Sequence, residues 1–85
     1  MNICILCGKI ISDINYKFII NSKNKATAKF QIELSNKSIV KIQAYDDISD
    51  YIYRNLSKGD IICIYGYLKS SEKIVLQELP EIYKN

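Results

Sequence analysis

Two short segments of the chain place one aromatic ring among cations and amides at every second position. Between Ala26 and Leu34, the residues Thr27, Lys29, Gln31 and Glu33 alternate with Ala26, Ala28, Phe30, Ile32 and Leu34. Between Val40 and Tyr45, the residues Lys41, Gln43 and Tyr45 alternate with Val40, Ile42 and Ala44. A phenol ring can stack on another planar ring, an ammonium can neutralise a phosphate, and a carboxamide donates and accepts hydrogen bonds. Lys29, Gln31, Lys41, Gln43 and Tyr45 are therefore suited to holding a flexible polyanion with planar rings.

Residues suited to bond-breaking chemistry are scarce. The chain has no histidine, so it lacks the usual acid–base group and the base of a nucleophile triad. The adjacent Asp46 and Asp47 fit a helix start, and three scattered glycines make no phosphate-binding loop. Cys4 and Cys7 match C-x-x-C in letters but lie in a strand-like run, where a spacing of three points them to opposite faces. With Cys63 the only other thiol, four metal ligands cannot be assembled, and all three cysteines read as core residues without a disulfide framework. Asn36-Lys37-Ser38 and Asn55-Leu56-Ser57 match the glycosylation sequon by chance in a chain without a secretory signal. The expectation is a non-enzyme with no catalytic residues, metal or cofactor.

Period-two alternation defines the elements that carry the candidate residues. An apolar run from Asn2 to Ser12 reads as a first strand, and Ala26–Leu34 and Val40–Tyr45 read as the second and third. Ile48, Ile52 and Leu56 recur at helical spacing within 47–57, with Asp46 or Asp47 as N-cap and Gly59 as the left-handed stop. A fourth strand spans Ile61–Lys69, with Ile62, Ile64, Gly66 and Leu68 on one side and Tyr65 and Tyr67 on the other. A fifth spans Lys73–Leu79 and ends at Pro80. A helix between the third and fourth strands of a small barrel is the wiring of an OB-fold. The predicted class is all-β: a five-stranded Greek-key OB barrel with one short helix, covering residues 1–80, with 81–85 as a short tail. Turning the hairpin at Asn36-Lys37-Ser38 would pair Leu34 with Val40, Ile32 with Ile42 and Phe30 with Ala44. Glu33 would then face Lys41, Gln31 would face Gln43, and Lys29 would face Tyr45.

Charge and exposure extend the candidate surface. The net charge is +3, but residues 1–45 hold seven lysines against Asp13 and Glu33. This one-sided basic footprint suits a polyanion. Tyr16 and Lys17 are placed beside the hairpin, Lys23 and Lys25 on the polar loop 21–25, and Lys37 at the hairpin turn. Tyr65 and Tyr67 serve either as stacking platforms or at a subunit interface. The first strand is apolar on both faces, so Ile3 and Ile5 are expected to meet a second copy in a dimer or tetramer. No apolar run approaches the ~18 residues of a membrane span. With no leader sequence, the expected location is the cytoplasm.

These positions resemble the bacterial single-stranded DNA-binding protein (SSB) family over nearly the whole chain. Residues 2–10 (NICILCGKI) are similar to the family's first strand, which ends in Gly-Arg/Asn-Leu. Residues 26–32 (ATAKFQI) are similar to its Ala-Val-Ala-x-Phe/Ile-x-Leu strand. Ala44-Tyr45, a helix, Leu56-Ser57-Lys58-Gly59-Asp60 and residues 62–68 (ICIYGYL) follow in the family's order. The resemblance implies an OB-fold that wraps single-stranded DNA without sequence preference, usually as a homotetramer, in replication, recombination or repair. Tyr45 matches the family's aromatic after the third strand, whereas Ile39 falls where relatives often carry tryptophan. The hairpin loops are short and the family's acidic tail has no counterpart. The chain is thus expected to be a reduced relative, comparable with the tailless primosomal replication protein or a phage or plasmid paralogue. The expected ligand is single-stranded DNA, with RNA as the rival strand. An OB-fold protein-interaction module that has lost nucleic-acid binding is the alternative function.

Overall fold

Among the described residues, seven strands and one helix succeed one another: β1 (Ile3–Ile10), β2 (Asn15–Phe18), β3 (Ala26–Glu33), β4 (Ile39–Tyr45), α1 (Asp46–Asn55), β5 (Ile61–Ser70), β6 (Lys73–Leu76) and β7 (Glu81–Tyr83). The computed structural model describes residues 3–18, 26–70 and 73–83. Five strands close on themselves in the order β1-β3-β4-β6-β5, with β5 pairing back to β1. The β4–β6 ladder is parallel and the others are antiparallel. β2 extends the sheet beside β3, and β7 pairs with the start of β5. The five predicted strands are β1, β3, β4, β5 and β6, and the helix stands between β4 and β5 and lies against β3 and β4.

Isoleucine fills the barrel. Ile10, Ile32, Ile42, Ile62, Ile64 and Ile74 come from the five barrel strands and Ile52 from α1, all essentially fully buried. β-Branched side chains suit a pleated, half-buried wall, and each strand contributes its inward set at period two. β1 serves two neighbours: Ile3 to Lys9 pair with β5, and Lys9 and Ile10 also pair with β3. Gly8 sits where that switch occurs, and a Cβ there would lie 2.8 Å from the Glu33 carbonyl oxygen. Any side chain at position 8 would collide with that carbonyl, so only glycine lets β1 pass it so closely.

The hairpin keeps its predicted faces but not its predicted partners. Ile32 pairs with Val40, Phe30 with Ile42 and Ala28 with Ala44, two residues away from the expected register. Outside, Gln31 faces Lys41, Lys29 faces Gln43 and Thr27 faces Tyr45. The cause is the turn. The Leu34 amide donates to the Ser38 carbonyl at 2.9 Å, so the loop is Ser35-Asn36-Lys37, one residue earlier than expected. Lys37 takes the left-handed position with φ 71°, the conformation such three-residue loops require. The Ser38 amide donates to Asn36 Oδ1 at 3.0 Å and tightens the loop. Lys37→Gly should raise stability by about 0.5–1 kcal/mol, the left-handed penalty less glycine's entropy. A higher urea midpoint would show this; a lower one would mean the loop is held by its lysine side chain.

Four other expectations need correction. Neither aspartate caps α1 through its side chain: Tyr45 is the N-cap residue, and Asp46 Oδ1 instead accepts from the Ala26 amide at 3.3 Å. Gly59 does adopt a left-handed φ of 99°, but in the turn beyond the helix, where its amide donates to the Ile10 carbonyl at 2.8 Å. The segment read as a tail opens with β7, which sets Ile82 opposite Ile62. Finally, Cys7 and Cys63 are directly opposed in the β1–β5 ladder and joined as a disulfide, with Cα atoms 4.0 Å apart. Cys7 is exposed and not a core thiol. The two cysteines lie 56 residues apart, so no local spacing could reveal that they are neighbours.

Candidate nucleic-acid interface

Antiparallel and parallel ladders both place paired residues on the same side of a sheet, so the registers define rows across the outer wall. One row runs Asn15–Lys29–Gln43–Val75–Tyr67 over β2, β3, β4, β6 and β5. Beside it, Gln31 on β3 meets Lys41 on β4, which meets Lys73 on β6. On the other side, Lys17 meets Thr27, which meets Tyr45. Six predicted residues thus share one surface: Lys17, Lys29, Gln31, Lys41, Gln43 and Tyr45. Lys17, Lys29 and Lys41 are exposed, and Gln31 and Tyr45 are half-buried.

A groove of about 370 Å³ opens over this wall. Lys29, Gln31, Lys41 and Lys73 line one part, and Ser12, Asp13 and Asn15 line the rim. The rim is tied down: Ser12 Oγ accepts from the Gln31 amide at 2.8 Å, and the Ile11 amide donates to the Gln31 carbonyl at 3.0 Å. Gln43 is only 6% exposed, and its Nε2 donates to the Tyr45 hydroxyl at 2.7 Å. That bond fixes the phenol end of Tyr45, so its ring is held in place before any ligand arrives. Gln43 Oε1 has no hydrogen-bond partner among the described residues.

The structure separates other candidates from this surface. Tyr16 pairs with Ala28, so it lies on the opposite face from Lys17 and Lys29. Its hydroxyl donates to Asp50 on α1, and its ring stacks on Tyr53 with centroids 4.5 Å apart. The bond to Asp50, ahead of partial burial, raises the Tyr16 phenol above its ordinary pKa. Tyr16 therefore clamps β2 to the helix and does not join the lysine surface beside the hairpin, where it was expected. Lys37 lies by a second groove with Cys7, Lys9 and Glu33, away from the lysine rows. Lys23 and Lys25 fall outside the described residues. Tyr67 continues the Gln43 row and is 38% exposed, whereas Tyr65 is half-buried opposite Ile5.

Sequence reasoning missed Lys73 and Lys69. Their parity was readable, since Ile74 and Leu76 point inward and leave Lys73 outside. What could not be read was that β6 docks parallel to β4 and sets Lys73 against Lys41. Partial burial, then the charges of Lys69, Lys29 and Lys41, hold the Lys73 ammonium below the ordinary lysine pKa. Among the described residues no cluster of three or more metal-ligating side chains occurs, and no helix is long and apolar enough to cross a membrane.

No sequence-family model matches the chain, and no curated protein sequence does. Solved structures do. The SSB domain of a Synechococcus protein superposes with a TM-score of 0.80 at 14% identity, covering 98% of this chain and 94% of that one. The Saccharomyces cerevisiae mitochondrial single-stranded DNA-binding protein Rim1 gives 0.78 at 14% identity, with 98% and 94% covered. The small single-stranded DNA-binding protein of Streptomyces coelicolor gives 0.76 at 15% identity, with 100% and 94% covered. The closed five-stranded barrel, with its helix between β4 and β5, is the OB-fold that those three structures share with this chain.

Proposed function

We propose that the chain is a non-catalytic, sequence-tolerant single-stranded DNA-binding protein of the SSB type, acting in replication, recombination or repair. One observation carries this reading. Tyr45, its ring held by Gln43, stands on the same open wall as Lys17, Lys29 and Lys41, beside a groove whose described lining holds one carboxylate, Asp13. Bases stack on the ring while lysines neutralise the backbone, and neither contact depends on base identity. The structural neighbours, named for single-stranded DNA binding, support the same reading.

Fluorescence anisotropy with labelled oligo-dT at two salt concentrations is the direct test. Binding should weaken steeply as salt rises, because displaced counterions set the slope. Tyr45→Ala should cost about 1–3 kcal/mol, roughly five- to 150-fold in affinity. An unshifted anisotropy at low salt would defeat the proposal and favour the protein-interaction module. A matched RNA oligomer in competition decides between the two nucleic acids.

Self-association through β1 belongs to the same proposal. Ile5 is 63% exposed, and within Ile3–Gly8 the edge of β1 turned away from β5 has no paired strand among the described residues. A free strand edge with an exposed apolar side chain is a template for a second copy. Light scattering should give a dimer or tetramer mass, and Ile5→Lys should shift it toward the monomer.

A further inference from the structure

The outer wall crowds like charges more than a stable free protein requires. Lys41 and Lys73 are direct partners in the β4–β6 ladder, where strands lie about 4.8 Å apart. Like charges directly opposite destabilise a sheet. Lys69 falls where the register of β5 against β6 shifts between Leu68 and Ser70. Such an irregularity re-aims a side chain relative to a regular strand. Lys29 shares the groove with Lys41 and Lys73, and among the described residues the groove's lining includes one carboxylate, Asp13. The depressed Lys73 pKa registers the same crowding, with partial burial as its first cause.

We propose that Lys29, Lys41, Lys69 and Lys73 form a seat for consecutive phosphodiester groups, held at a cost in stability until a polyanion fills it. This rests on the reading of the groove as a single-strand site and adds to it the residues that fix the path of the backbone. Four cations on four strands make a compact positive patch that only a ligand with closely spaced negative charges can satisfy. Bound phosphates relieve the repulsion among the lysines, so the strain of the free state is returned as affinity. Tyr45 then stacks a base in the neighbouring row, and the two sets of contacts act on different parts of the strand.

The seat predicts opposite effects of one substitution. Lys73→Gln should raise the thermal midpoint of the free protein at low salt, because a repelling charge is gone. The same variant should bind oligo-dT with a salt slope shallower by about 0.7, the share of one phosphate contact on a single strand. Tripolyphosphate should raise the midpoint of the unaltered protein and should raise that of Lys73→Gln much less. Lys58→Gln, in the turn after α1, should change none of these. A lower midpoint together with an unchanged salt slope would make Lys73 a packing residue and overturn the seat. If the unaltered protein ignores oligo-dT yet gains stability from tripolyphosphate through Lys73, the DNA reading falls and the anion seat stands. If neither ligand acts, the seat falls as well.

Discussion

Ile52→Ala is expected to remove about 2–5 kcal/mol of stability, the range for truncating a large buried aliphatic side chain with incomplete collapse around it. Ile52 is 0% exposed and is the one fully buried large side chain that α1 contributes to the core. A ten-residue helix is too short to persist alone in water, so α1 exists because its apolar face is buried. Ile52 and Leu56 join the barrel's isoleucines, while Ile48 and Tyr51 pack at the margin. Ala28 and Ala44, paired on β3 and β4, are small where the helix approaches those strands. Alanine at 52 would leave a cavity among side chains anchored on several strands, which cannot all move to fill it. Domains of this kind hold about 5–15 kcal/mol in total, so the variant should unfold at a much lower urea concentration. Tyr53→Ala, at an exposed position on the same helix, is the comparison. Below the midpoint Ile52→Ala should bind oligo-dT like the parent, since Tyr45 and the lysines lie on the outer wall. A cost under about 1 kcal/mol would mean that α1 is not a keystone of the core.

Reducing the Cys7–Cys63 disulfide should cost about 2–4 kcal/mol, since opening a cross-link between residues 56 apart restores much chain entropy to the unfolded state. Paired urea melts with and without dithiothreitol, with thiol counting at the start of each, would measure the difference. The slope of free energy against urea should rise, because the unlinked unfolded chain exposes more surface, and the reduced protein should keep its fold, because β1 and β5 remain paired from Ile3 to Lys9. Coincident melts for verified dithiol and disulfide forms would refute the expectation. Cys7→Ser should behave like the reduced protein. In a reducing compartment the two residues stand as opposed thiols, and the fold then depends on its apolar core alone.

The candidate site was legible to the level of faces. Alternation in 26–34 and 40–45 put Lys29, Gln31, Lys41, Gln43 and Tyr45 on one side, and they are there. A two-residue slip preserves parity, so an incorrect register left every face correct. Partners were another matter. Lys29 faces Gln43 and not Tyr45 because Lys37 accepts a left-handed backbone and moves the turn. Tyr16 was misplaced because four residues of β2 carry too little alternation to show a face; pairing with Ala28 assigned it.

What the sequence determined by itself was therefore the inward sets of β3 and β4, the helix stripe, the order of the five barrel strands and the helix, and the outward position of Lys29, Gln31, Lys41, Gln43 and Tyr45. These follow from backbone periodicity, a property of neighbouring residues. What the tertiary structure alone decided was which outward residues meet. The parallel docking of β6 on β4 sets Lys73 beside Lys41, the return of β5 to β1 sets Cys63 against Cys7, and the packing of α1 brings Asp50 to Tyr16. Those contacts join residues 32 to 56 positions apart, and closing the barrel creates them. No local pattern carries information across such a distance.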